Sequence, residues 1–132
     1  MLNPSTADAT HDDPTIRRCI AFAARENLGG VEVMNLFAFR ATAPADLKAA
    51  ADPVGPDNDR HLDELFVRHA TVLAAWGAHG AFAGRAAAVV RLAADRGTTL
   101  ACLGMTLKGE PLHPLYVKGD RALVPYLLEQ PA

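Results

Sequence analysis

Gly29-Gly30-Val31-Glu32-Val33-Met34-Asn35-Leu36 is the stretch on which the fold turns. Paired glycines stop a preceding helix, and the β-branched, alternating residues after them read as a strand that closes on a polar amide. Upstream, Asp13 as N-cap and Pro14 at the first helical position open that helix, with Ile16, Cys19, Ile20 and Ala23 on one face. Downstream the alternation repeats. Pro44 opens a short helical turn through Ala50, and Asn58 or Asp59 caps a helix that points Leu62, Leu65 and Phe66 inward. Residues 71–76 form a second strand, Ala81 to Arg96 an alanine-rich helix closed by Gly97, and residues 98–103 a third strand. Strands alternating with helices predict one α/β domain over residues 1–132. Its layers are helix, sheet and helix, around a small, mostly parallel sheet whose strand C-termini share one edge.

The composition fits that plan. The chain has 132 residues, half of them hydrophobic and 21% charged, enough apolar content for a packed core. No apolar run approaches the ~20 residues of a membrane helix, and the N-terminus lacks the pattern of a secretory signal, so a cytoplasmic protein with no membrane partner is expected. Cys19 and Cys102 are far apart and read as free thiols. The net charge of -2 argues against a protein that coats duplex DNA, whose affinity comes largely from phosphate neutralisation. Neither a phosphate-binding glycine loop nor a metal-ligand spacing is present, so no metal and no cofactor are expected.

Candidate site residues gather at the expected strand ends. In Asn3-Pro4-Ser5-Thr6-Ala7-Asp8 the proline fixes a turn, while Asn3, Ser5 and Asp8 offer groups able to hold a water or a substrate. In residues 35–42 the Asn35 amide carries a donor and an acceptor matched to a nucleobase edge. Phe37 and Phe39 offer stacking faces, and Arg40 a phosphate contact, with Arg85 and Lys108 as further cations near that edge. In His113-Pro114-Leu115-Tyr116 the imidazole is fixed beside a proline, where its N–H can support a developing anion. Each motif also has a plain structural use: a turn for Asn3, a cap for Asn35, core packing for the two phenylalanines and a surface loop for His113.

Read together with Asp13-Pro14-Thr15, Pro53-Val54-Gly55, Asn58-Asp59 and Ala75-Trp76-Gly77, these motifs resemble the bacterial domain-of-unknown-function 1643 family over nearly the whole chain. In that family an apolar strand precedes the Asn-Pro-Ser-Thr stretch. Here only Met1 and Leu2 stand there, so the first strand is expected to be missing or truncated, leaving a gap in the sheet beside them. More remotely, the order of the motifs is similar to the uracil-DNA glycosylase superfamily. That resemblance implies a catalytic Asn3 that holds the attacking water, Asn35 reading the base, and a catalytic His113 supporting the departing base anion. Two positions depart from the pattern: Leu115 stands where a serine follows His-Pro, and no glycine precedes Asn3. The readings that follow are a glycosylase-like hydrolase acting on a nucleobase N-glycosidic bond in DNA or a nucleotide, a non-catalytic nucleobase-binding module, and an inactive truncated remnant.

Overall fold

The computed structural model describes residues 1–4 and 13–126. Helix α1 (Pro14–Arg25) starts where the Asp-Pro pair demands: the Asp13 carboxylate accepts from the N–H groups of Thr15 (2.8 Å) and Ile16 (3.3 Å). Helix α2 (Pro44–Ala49) follows, then α3 (Asn58–Arg68), which buries Leu62, Leu65 and Phe66 as its spacing predicts. Strand β1 (Thr71–Leu73), helix α4 (Arg85–Asp95), strand β2 (Thr99–Cys102) and the short strand β3 (Val124–Pro125) complete the order. β1 pairs with β2 in parallel, Thr71 opposite Thr99, while β2 pairs with β3 antiparallel. The architecture is thus mixed α/β, with four helices and a three-strand sheet among the described residues, and the sheet is mixed rather than mostly parallel.

Its core joins the inner faces of α3 and α4 to the sheet through Leu62, Leu65, Phe66, Val89, Leu100 and Cys102. The Thr98 hydroxyl donates to Phe66 O (2.9 Å) and so ties the end of α3 to the start of β2. A smaller cluster of Phe22, Leu103 and Val117 seats α1. Arg18 of α1 reinforces it by donating to the carbonyls of Pro114 and Val117. Both thiols are free; Cys102 is buried and Cys19 half-buried. No helix among the described residues is long and apolar enough to cross a membrane.

Three local expectations are corrected. The helix expected from Ala81 begins only at Arg85, because Ala83 (φ 56) and Gly84 (φ 68) take left-handed conformations that interrupt a preceding 3-10 turn over Phe82–Gly84. β3 was not expected at all. Residues 31–36 form no strand, and the chain bends at Leu36. They pair only at their end: Leu36 N–H donates to Met1 O (3.0 Å), while the Met1 amino group donates to Met34 O (3.1 Å). That reciprocal pattern is one bridge of a parallel ladder centred on Asn35.

Between residues 31–36 and β1 lies an apolar cavity of ≈270 Å³, with Met1 at one end and Leu65, Phe66 and Val89 among its walls. Nothing among the described residues satisfies the backbone N–H groups of Glu32 and Met34 on one side or of Ala75 on the other. Residues 31–33 have no backbone hydrogen-bonding partner among the described residues on either side, so no ladder forms there.

Candidate functional site at the strand ends

Of the residues singled out in the sequence, Asn3 lies in the Met1–Pro4 segment, Asn35 is flanked by the backbone bonds of Met1, and the His113 ring lies within electrostatic range of the Met1 amino group. Asn3 is committed to loop architecture. Its side-chain NH₂ donates to the carbonyls of Pro4 (3.1 Å), Phe39 (3.1 Å) and Ala41 (2.9 Å), and Ala41 N–H returns a bond to Pro4 O (3.0 Å). Asn3 therefore clamps residues 39–41 against the start of the chain, and only its Oδ1 lacks a partner among the described residues. Ser5 and Asp8 lie outside the described residues.

Asn35 is held from both flanks. Met1 bonds the backbone on either side of it, and the Asn58 side chain donates to Asn35 O (3.0 Å) and Leu36 O (2.7 Å). Leu36 O also accepts from Arg85 Nε (2.8 Å). The Asn35 side-chain amide itself is half-buried and meets no hydrogen-bonding partner among the described residues. A rigid backbone thus presents an amide with both its donor and its acceptor open.

His113 lies beside the turn that ends the β1 segment. A Cβ at Gly77 would come 3.6 Å from His113 Cβ, and Gly77 N–H donates to Pro111 O (2.9 Å). His113 Nδ1 accepts from Leu115 N–H (3.2 Å), which assigns the ring proton of the neutral imidazole to Nε2. Burial, and then the nearby Met1 ammonium, lower the His113 pKa below its ordinary 6.5, while Asp13 acts in the opposite direction. At neutral pH the residue is a neutral donor through Nε2. Tyr116 packs against the ring at a centroid distance of 5.5 Å. Asn35 and His113 thus flank Met1, one through backbone bonds and the other within reach of its charge; no hydrogen bond joins Asn3, Asn35 and His113 to one another.

The two aromatic candidates part company. Phe37 is fully buried against Phe82 (5.8 Å between centroids) and belongs to the core, so its face is closed to a ligand. Phe39 is 41% exposed on the loop that Asn3 clamps, with exposed Arg40 next to it. Arg85, expected as a surface cation, is buried. It braces Leu36 O and pairs with Asp59 (2.7 Å), while its Nη2 has no partner among the described residues. Lys108 is exposed in the turn before Gly109. No group of three potential metal ligands occurs among the described residues.

Sequence reasoning missed the braces behind the site. Asn58 was expected to cap α3, but Asp57 holds the N-cap position and Asn58 reaches across to residues 35 and 36. Its Asn58→Ala variant should lose roughly 2–3 kcal/mol in urea unfolding, because Asn35 O is left without that donor while Leu36 O keeps Arg85. A loss below about 0.5 kcal/mol would show that the brace contributes little.

No curated protein and no solved structure matches the chain. One family profile does, over residues 1–115, and it spans α1 to α4, β1, β2 and the segment carrying His113. By that match the chain belongs to the family described as "Protein of unknown function (DUF1643)".

Proposed function

We propose that the strand-end edge binds a nucleobase-containing ligand, with Asn35 reading the base edge, the neutral His113 donating through Nε2, and exposed Phe39 offering a stacking face. The observation that carries the reading is the Asn35 amide: its backbone is pinned on both sides, yet the amide meets no partner among the described residues. A polar group held ready in this way favours ligands that satisfy both its donor and its acceptor and penalises those that do not. The reading goes with a three-layer, uracil-DNA-glycosylase-like arrangement and with a cytoplasmic setting, the latter in keeping with two free thiols. With a net charge of -2, a nucleoside or nucleotide fits better than duplex DNA.

Hydrolysis of an N-glycosidic bond is the second reading, and the protonation state of His113 favours it. As the bond from C1′ to the base breaks, the base leaves with the electron pair, water adds at C1′, and the proton that water loses ends on the base. A neutral imidazole N–H stabilises that departing anion without a charge that must first be desolvated. Asn3 could hold the water only through Oδ1, since its NH₂ is bound to the loop.

Calorimetric titration with uridine, deoxyuridine monophosphate and a uracil-containing single strand tests both readings. Binding of at least one is expected, weakened roughly tenfold by Asn35→Ala. Chromatographic detection of free uracil, abolished in His113→Ala, would add hydrolysis. No binding of any of the three overturns the proposal.

A further inference from the structure

We infer that the first turn of α3 and the buried guanidinium of Arg85 form a subsite for a phosphate monoester, which makes the ligand of the strand-end edge a nucleotide. The phosphate subsite stands on its own geometry; only the nucleoside half of the statement rests on the nucleobase reading above. Arg85 opens α4, yet its side chain lies against α3. Its Nε donates to Leu36 O (2.8 Å), a carbonyl shared with Asn58 Nδ2 at the first position of α3. Its Nη1 pairs with Asp59 (2.7 Å) at the second position. Arg85 is 5% exposed, and the third arm of its fork, Nη2, is buried without a partner among the described residues. An unsatisfied N–H on a buried charged group is costly, and a planar fork is best met by two oxygens of one anion.

The helix end supplies further donors. No side chain caps the eleven-residue α3, and the N–H groups of the exposed Asp59 and Arg60 meet no hydrogen-bonding partner among the described residues. Open amides at the positive end of a helix dipole favour a dianion with several acceptor oxygens. Arg60 adds a second cation on the same turn. The two acidic side chains of this turn leave room for the ligand. Asp57 pairs with Arg60 at 3.7 Å, and the Asp59 side chain is 68% exposed, so its carboxylate can turn out to solvent and give its place on Arg85 to the phosphate. Asn58 joins this subsite to the base-reading residue. Its side chain holds Asn35 O (3.0 Å) as well as Leu36 O (2.7 Å), so Asn35 and the start of α3 share one wall.

Nuclear magnetic resonance titrations of the whole chain with inorganic phosphate, deoxyuridine and deoxyuridine monophosphate test the inference. Phosphate alone should shift the Asp59 and Arg60 amides and the Arg85 Nε–H. Deoxyuridine monophosphate should bind at least about tenfold more tightly than deoxyuridine. Asp59→Asn removes the competing carboxylate at an exposed position and should tighten phosphate binding about threefold, with the circular dichroism spectrum unchanged. Equal affinity for deoxyuridine and its monophosphate would overturn the inference and leave the nucleobase reading standing. Phosphate shifts at α3 without binding of deoxyuridine would support the subsite and overturn the nucleobase reading. Unchanged or weaker phosphate binding in Asp59→Asn would overturn the subsite, and no response to any of the three ligands would overturn both.

Discussion

Gly80→Ala is expected to lower stability by about 2–4 kcal/mol, a large share of what an ordinary domain possesses. Gly80 is buried directly against the indole of Trp76, and a Cβ there would overlap the ring. The indole has nowhere to retreat. Trp76 is itself buried, meets Tyr126 edge-on at 5.5 Å, and donates from Nε1 to the buried Glu110 carboxyl group (2.7 Å). Moving the ring breaks that bond and leaves Glu110 without its donor. Moving the backbone instead disturbs the bond from Ala86 N–H to Gly80 O (2.9 Å), which sets the start of α4. Thermal unfolding should show a Tm lower by roughly 10–20 °C. Gly30→Ala, at an exposed position with nothing within 4 Å of the added Cβ, should change it little. Equal behaviour of the two variants would mean that Trp76 is free to repack.

The second large effect is in pH. Burial holds the Met1 amino group at a pKa of about 6 in the folded protein, against 8.0 for the unperturbed group. The unfolded chain therefore binds more protons between those values, and stability rises with pH across the interval. The stabilising contribution is complete above pH 8 and is lost as pH falls through 6. At 1.36 kcal/mol per unit, reduced for partial solvent screening, the change is about 2 kcal/mol. His113 adds to it in the same direction below its ordinary pKa of 6.5, because its folded value is also lowered. Urea midpoints measured from pH 5.5 to 8.5 should rise with pH, and acetylation of the amino terminus should flatten most of the slope. A flat profile in the unmodified protein would show that the amine reaches water.

Much of this architecture is legible in the sequence because it rests on local chemistry. Asp13-Pro14 starts α1 through a cap and a fixed φ, and the spacing of Leu62, Leu65 and Phe66 gives the inner face of α3. What was not legible depends on distant partners. Residues 31–36 have the composition of a strand, but a ladder needs a neighbour, and their inner side faces the cavity. β3 is two exposed residues, one of them proline, placed by pairing with Ala101 and Cys102 rather than by propensity. In the site, Phe37 and Phe39 share the spacing of one strand face. Phe37 packs into the core against Phe82, whereas Asn3 holds residues 39–41 and Phe39 stays exposed, so the spacing does not carry over. Asn58 and Arg85 brace the site through backbone carbonyls, Asn35 O and Leu36 O for Asn58 and Leu36 O for Arg85, and no spacing in the sequence announces that.

The claim that the strand-end edge is a nucleobase site is tested most directly by nuclear magnetic resonance, following the Asn35 side-chain amide and the His113 imidazole during a uridine titration. Both signals should move along one saturation curve, and the His113 Nε2–H should become protected from exchange as it engages the ligand while the Nδ1 tautomer stays unchanged. Shifts confined to other residues, or none at millimolar uridine and deoxyuridine monophosphate, would contradict the assignment of this edge.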